Sequence, residues 1–398
     1  MNYPFSARLG TFSSSAVREI LKLTQSKSII SFAGGLPAEE HFPVDAVGEA
    51  FQRVLAAGNS ALQYGLTEGY LPLRESICRR MKKKGVTVTP EAMLLTTGSQ
   101  QAIDLFTRIM IDPGDVILVE RPTYLSALQV FRSNGATAVS VDGDEDGLNL
   151  KDLEEKLEKY KPKIVYVIPT FSNPTGKAWS LERRKGVLEL CRRAGAVILE
   201  DDPYGELRFG DDSLTYPSLF SLDQHPNGSC VVYTSTFSKT VAPALRTGWV
   251  MADPEIIRNM ARAKQAADLH SSSLDQQTLY QLIEHYDLDG HIEFVRKEYE
   301  ARMRQMAELL EQQQWPGVTW NEPKGGMFFW LELPEAVDTA ELLKTAVELG
   351  VAFVPGGTFY AEDPQKNTMR LNFTHTDYEG TIVGMKRLSQ ALESVLVK

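Results

Sequence analysis

Apolar residues along the chain follow two rhythms. Short aliphatic and β-branched runs recur at Met93–Thr96, Val116–Val119, Thr137–Val141, Ile164–Ile168, Val197–Glu200, Val231–Thr234 and Gly248–Met251. Runs of this length, bounded by turn residues, predict buried strands. Between them the apolar positions take helical spacing over Ala102–Met110, Tyr124–Asn134, Leu150–Tyr160 and Leu181–Ala194. Strands alternating with helices predict a parallel α/β sheet. Two further helical stretches, Phe42–Gly58 and Leu73–Lys84, precede it.

Past residue 251 the pattern changes. Pro254–Ala267 and a long charged span from about His291 to Gln314 read as helices. The chain then alternates strand and helix with a polar face: Met327–Leu333, Thr339–Leu349, Val351–Val354, Met369–Phe373 and Gly380–Val397. At the other end, Ser13-Ser14-Ser15 supplies hydroxyls to cap a helix over about Ala16–Thr24. Val17, Ile20 and Leu21 form its stripe, with Arg18 at the flank. Ile29–Pro37 is extended and broken by Gly34-Gly35. The predicted organisation is an N-terminal arm and small-domain segment at 1–44, a large α/β domain at 45–285, and a smaller α+β domain at 286–398.

The 398 residues are enough for two or three domains with a substantial core, and 43% hydrophobic with 24% charged is ordinary globular composition. A formal net charge of −10 argues against nucleic acid or an anionic membrane as main partner. No apolar run is long enough to span a bilayer, and the start of the chain lacks the apolar core of a secretory signal. Cys78, Cys191 and Cys230 are far apart, with no metal-binding spacing, and none of the six histidines falls in a metal or triad pattern. His270, in Asp268-Leu269-His270, reads as structural. These features predict a soluble cytoplasmic enzyme.

The chemistry concentrates where the strands end. Val231–Thr234 runs into Ser235-Thr236-Phe237-Ser238-Lys239, with Arg246 and Gly248 shortly after. Burial at a strand end lowers a lysine's pKa and makes it a nucleophile toward carbonyls, able to form a Schiff base. Hydroxyls and a guanidinium close by suit a phosphate dianion. An aldehyde and a phosphate on one ligand describe pyridoxal 5′-phosphate (PLP); taken alone, the stretch is equally a surface loop. Gly98-Ser99-Gln100 opens a helix and so offers free N–H groups to an anion, or simply an N-cap. Asp201 and Asp202 end an apolar strand, where a carboxylate can hold a pyridinium proton or cap the turn before Pro203. Tyr204 and Asn173 could each donate to a ring oxygen, and Tyr124 could stack on a flat heterocycle or pack in the core. Arg370, in an apolar strand, calls for a carboxylate, from a substrate or across a domain interface.

Together, the order TGSQQA, PTY, SNPTG, EDDPY, TFSK…LRTGW and MRLNF resembles the fold-type I PLP-dependent aminotransferases of class I/II. REILKL…ISFAGGLP…ALQYGLTEGY…KGGMFFWLELP…VAFVPGG resembles the branch with 2-aminoadipate, kynurenine and broad aromatic or branched-chain aminotransferases. The similarity spans nearly the whole chain. It implies a mostly parallel seven-stranded sheet in a large domain beside a smaller α+β domain. It implies that Lys239 is the Schiff-base lysine, that Asp201 pairs with the ring nitrogen, and that Tyr204 and Asn173 hold the ring oxygen under a stacking Tyr124. Ser99, Gln100, Thr236, Ser238 and Arg246 would hold the phosphate; Thr236 stands where the family often has serine and keeps the hydroxyl. Arg370 would bind the substrate α-carboxylate, with Gly35 lining its path. Tyr64 resembles the tyrosine that reaches the neighbouring subunit's phosphate, which implies a homodimer with shared sites.

The implied reaction is ping-pong transamination of an L-amino acid with 2-oxoglutarate as amino acceptor. Arg18, with Ser15 nearby, is the candidate for reading an acidic side chain such as that of 2-aminoadipate. A β-lyase or decarboxylase on the same cofactor is an alternative. A regulator with an aminotransferase-like effector domain is a weaker one, since the catalytic pattern begins within the first few dozen residues and the charge is negative.

Overall fold

The seven apolar runs pair into one sheet. The computed structural model describes residues 2–6, 9–10, 20, 29–210, 215–223 and 228–396. Its strands are β1 (Met93–Thr96), β2 (Val116–Glu120), β3 (Thr137–Val141), β4 (Ile164–Val167), β5 (Val197–Asp201), β6 (Val231–Thr236) and β7 (Gly248–Met251). Their spatial order is β1-β7-β6-β5-β4-β2-β3. Pairing is parallel except around β7, which runs antiparallel to both β1 and β6. The reason is local: a parallel return needs a crossover of a dozen residues or more, usually a helix, whereas residues 237–247 fold back directly.

Helices cover the sheet because each presents an apolar stripe. α1 (Val44–Leu55) and α2 (Leu71–Lys83) come first, then α3 (Gly98–Met110), α4 (Leu125–Ser133), α5 (Leu150–Tyr160) and α6 (Leu181–Ala194). α7 (Pro254–Ala267) and α8 (Ser273–His285) follow β7. Phe106, Phe131 and Met260 of α3, α4 and α7 share a core with Leu94, Val119 and Val250. Leu153, Leu157 and Val187 of α5 and α6 instead pack with Leu118, Val165 and Ile198, strand residues in a second cluster. α2 and α8 enclose Met93, Leu95 and Trp249.

A second, antiparallel sheet follows: β8 (Thr319–Trp320), β9 (Phe328–Glu332), β10 (Val354–Pro355) and β11 (Thr368–Asn372), in the order β8-β9-β11-β10. It packs with α9 (Leu288–Gln313), α10 (Thr339–Glu348) and α11 (Tyr378–Leu396) around Met303, Phe329, Leu331 and Leu388. The N-terminal side joins it, since Ile30–Ser31 pairs in parallel with Val351–Ala352 and Asn372 N donates to Phe32 O.

Several elements depart from the sequence pattern. α3 begins at Gly98, a turn before the apolar stripe starts, and Pro43 holds the start of α1 to Val44. α8 was not expected: its buried face mixes Gln276 and Thr278 with Leu279 and Leu282, which interrupts the stripe. Gln276 is satisfied once the chain is packed, since it accepts from Tyr70 N at 2.7 Å and donates to Ser271 O at 3.0 Å. α9 starts earlier than expected, at Leu288, capped by Asp287.

Arg184 on α6 is 0% exposed and fastens the loop that leaves β4. It donates to Pro169 O at 2.7 Å, Thr170 Oγ1 at 3.0 Å, Pro217 O at 3.0 Å and Trp179 O at 3.2 Å. Arg184→Ala strands these acceptors and is expected to cost about 4 kcal/mol by the penalty for unpaired buried polar groups. Thermal denaturation checks this, and Arg184→Lys, with fewer donors, should recover only part of the loss.

Candidate active site

The carboxyl ends of the parallel strands and the facing second sheet enclose a cavity of about 650 Å³. This is where open α/β sheets place ligands. Gly98, Ser99 and Gln100 enter it from the N-terminus of α3. Asn173 comes from the loop after β4, Asp201 is the last residue of β5, and Tyr204 follows on the next turn. Thr236, Ser238 and Lys239 lie at the end of β6, and Arg246 on the way to β7. Tyr124, Gly35 and Arg370 complete the ring of residues singled out from the sequence.

One end is built for an anion. The free N–H groups and the dipole of α3 point there. Gly98, at φ +71°, has no room for a side chain: a Cβ would stand 2.6 Å from Arg246 Nη2. A Cβ on Gly248 would lie 2.7 Å from the Gly98 carbonyl carbon, so two glycines let β7 press against the helix start. Arg246 adopts φ +43°, a left-handed conformation costing about 1–2 kcal/mol for a residue with a Cβ. Its Nη1 donates to Ser238 Oγ at 3.3 Å and its Nη2 to Thr97 O at 3.3 Å. Thr236 Oγ1 lies 2.9 Å from Ser238 Oγ.

Beyond it lies Asp201, 2% exposed. Tyr166 donates its hydroxyl to Oδ2 at 2.9 Å, while Oδ1 is buried with no hydrogen-bond partner. Burial pushes this carboxyl up to about 7; the Tyr166 hydrogen bond pulls it down and the Asp202 charge adds to the rise. A cationic N–H donor against Oδ1 is what this group lacks.

The other end meets the second sheet. Arg370, 2% exposed, stands opposite Trp330 on β9 and Val354 on β10. It donates to Asn173 Oδ1 at 2.6 Å and to Ala33 O at 2.7 Å, and its guanidinium lies 4.1 Å from the Phe328 ring centroid. Neither acceptor is a carboxylate, and its Nε is buried without a partner. Because Asn173 accepts from Arg370 through Oδ1, its amide nitrogen is left to donate. Among the described residues the lining carries three cations, Lys239, Arg246 and Arg370, against one carboxylate, Asp201. Such a lining suits an occupant with two anionic groups and one cationic nitrogen, and PLP together with an amino-acid carboxylate meets that description. The residues present therefore fit the cofactor. Among the described residues no group of His, Cys, Asp or Glu could hold a metal.

Comparison with known proteins agrees. The model of the family described as aminotransferase class I and II matches residues 27–383. The chain belongs to this family. It is a PLP-dependent aminotransferase of fold type I. It is 42% identical to aromatic-amino-acid aminotransferase 1 of Thermococcus litoralis, over 99% of this chain and 95% of that one. It is 41% identical to the 2-aminoadipate transaminase of Thermus thermophilus, over 98% of this chain and 97% of that one. Among solved structures it resembles an α-aminoadipate aminotransferase from Thermus thermophilus complexed with N-(5′-phosphopyridoxyl)-L-leucine, with a TM-score of 0.92, 40% identity, and coverage of 99% and 98% of the two chains.

Not every expected residue of this aminotransferase lies in the cavity. Tyr64 is 79% exposed, away from it, with its ring edge-on to His270 at 5.7 Å. Arg18 and Ser15 lie outside the described residues. Sequence reasoning missed Tyr166, whose one legible signal is a polar tip inside an apolar strand, which needs a buried partner. It also missed Leu125, Ser126 and Gln129, cavity residues near the start of α4.

Lys239 Nζ donates to Gly35 O at 2.7 Å. Burial, then the positive charges of Arg370 and Arg246, bring its amine from 10.5 down to about 8. The amine is neutral, hence nucleophilic, above that value. In cofactor-free protein its reaction with a small aldehyde should therefore rise with pH through a midpoint near 8. Arg370→Gln removes one of the opposing charges and should move that midpoint upward. Rapid-mixing absorbance across pH measures both, and a wild-type midpoint at the ordinary lysine value would contradict the assignment.

Proposed function

We propose that Lys239, Asp201 and Tyr204 carry out the chemistry of an L-amino-acid:2-oxo-acid transamination in this cavity. The observation that carries the reading is the charge arrangement: a lysine of lowered pKa near two arginines from different parts of the fold, with one buried carboxylate oxygen unpaired. When bound, PLP supplies an aldehyde for the amino group and a protonated ring that accepts the electron pair left as the substrate Cα–H bond breaks.

The chain's own groups supply the rest. Asp201 would hold the proton on the ring nitrogen. Asn173 and Tyr204 would orient the ring oxygen, and Tyr124 would pack against the ring. Ser99, Gln100, Thr236, Ser238 and Arg246 bind the phosphate and so fix the register of everything else. Arg370 takes the substrate α-carboxylate beside Gly35, which stands the Cα–H bond within reach of Lys239. Nζ of Lys239 would take the Cα proton and deliver it to the carbon that carried the aldehyde, two bonds away, the task for which a pKa near neutrality is suited.

The donor is an amino acid of the 2-aminoadipate, aromatic or branched-chain type, and 2-oxoglutarate accepts the amino group. The relatives' names support the aromatic and 2-aminoadipate types. Ile20 packs in one cluster with Leu125, which lines the cavity, and this supports a specificity role for the segment carrying Arg18. We further propose that two copies associate through the face bearing Leu62, Tyr64 and Leu66, which are 69%, 79% and 64% exposed, so that Tyr64 serves the partner's phosphate site. The two sheets support a division into a large domain at 45–285 and a small one at 286–398, with 1–44 as an N-terminal arm and small-domain segment. Three free cysteines support work in the cytoplasm.

Borohydride treatment of the yellow PLP-loaded protein, followed by peptide mapping, should place the label on residue 239. Lys239→Ala should lose about a thousandfold or more of turnover, since both nucleophile and base are gone. Near-wild-type transamination in that variant would remove the assignment. Substrate choice is tested by comparing wild type with Arg18→Ala on 2-aminoadipate and leucine: kcat/KM should fall on the acidic donor alone. Equal losses on both would dismiss Arg18 as a specificity residue.

A further inference from the structure

Lys264, on the last turn of α7, is 0% exposed although nothing in the chemistry above uses it. Its ammonium makes three directed contacts: Gln101 Oε1 at 2.6 Å, Ser271 Oγ at 2.8 Å, and both Asp268 oxygens at 2.9 Å. Three protons meet three acceptor groups. The acceptors are tied to one another as well. Gln101 Nε2 donates to Asp268 Oδ2 at 2.7 Å, and Ser271 Oγ lies 2.8 Å from Thr97 Oγ1.

All of these links converge on Thr97. Its backbone N–H donates to Gln101 Oε1 at 2.9 Å, its hydroxyl meets Ser271, and its carbonyl receives Arg246 Nη2 at 3.3 Å. Thr97 is the residue immediately before Gly98, where α3 begins with the N–H groups of the anion site. The Lys264 cluster thus holds, from behind, the residue that sets both the start of α3 and the place of Arg246. Gln101 accepts two donors through the same oxygen, so its amide cannot turn over without stranding Lys264 or Thr97 N.

We propose that Lys264 is a positioning residue for the phosphate subsite, acting through Gln101 and Thr97. A buried ammonium costs desolvation, and a methionine or leucine would fill the same volume without it. What the charge adds is direction: it fixes three partners at once, and through them a helix terminus whose N–H groups must converge on one point. Burial lowers the amine's pKa, and the Asp268 hydrogen bond and charge oppose that fall.

The inference rests on the PLP reading, and the experiment separates the two. Wild type and Lys264→Met, both freed of cofactor, are titrated with PLP and with pyridoxal, which lacks only the phosphate. Binding is followed by absorbance. Lys264→Met should weaken PLP about tenfold, the loss of one or two net hydrogen bonds, and leave pyridoxal within about twofold. Its preference for the phosphorylated ligand then falls by nearly the whole of that factor. Equal weakening of both ligands, or an unchanged preference, overturns the proposal. If Lys264→Met does not fold, Gln101→Met serves, because it cuts the link to Thr97 and keeps the Lys264–Asp268 pair; it must lower the same preference. Failure of wild type to bind PLP at all would instead defeat the underlying reading.

Discussion

A carboxylate buried at the end of a strand, with one oxygen satisfied and the other not, organises this molecule. Asp201 sits at the centre of the seven-stranded sheet, where β5 stops between β4 and β6. At that depth an unpaired charge is costly, and the group's pKa rises to about 7. The surrounding structure directs that cost. Tyr166, on the neighbouring strand, takes Oδ2 and leaves Oδ1 without a partner in a residue that lines the cavity. A cation placed there would stabilise the ionised form and be stabilised by it, which is the ground for proposing that a protonated ring nitrogen binds at this point.

The cavity's two cationic ends belong to different parts of the fold. Arg246 is set by the turn between β6 and β7 and by the helix terminus it faces. Arg370 is set by β11 in the second sheet, and it reaches across to Asn173 of the first sheet and to Ala33 of the N-terminal segment. Lys239 makes a similar crossing, from the end of β6 to Gly35 O. The hydrogen bonds that tie these parts together are thus made by the groups proposed to meet cofactor and substrate. Any change in how the sheets lie moves the Arg370 guanidinium relative to the Lys239 amine. In transamination that distance governs whether the Cα–H bond is presented to its base.

Behind the lining is a second layer of buried polar groups that hold first-layer residues in place. Arg184 fastens the Asn173 loop, Tyr166 orients Asp201, and Lys264 braces Thr97. Each is a long or aromatic side chain whose apolar part packs while its polar tip is hydrogen-bonded. Apolar replacements could fill the same space but could not aim a neighbour.

The alternation of strands and helices was legible along the chain, because periodicity and turn residues are local properties. So were the residue types at strand ends, Asp201, Lys239 and the Gly98-Ser99-Gln100 turn, since their chemistry is conspicuous against apolar runs. α8 was not, because its buried face includes Gln276 and Thr278, which look exposed until Tyr70 and Ser271 are seen to satisfy Gln276. Tyr166 and Lys264 were hidden for the same reason: what they do depends on partners distant in sequence. By itself, then, the sequence determined which elements form and which side chains are available for chemistry. Only the tertiary structure decided that residues from Gly35 to Arg370 share one cavity, and which oxygen of Asp201 is left open, because sheet order and mutual burial belong to the packed chain and to no single segment of it.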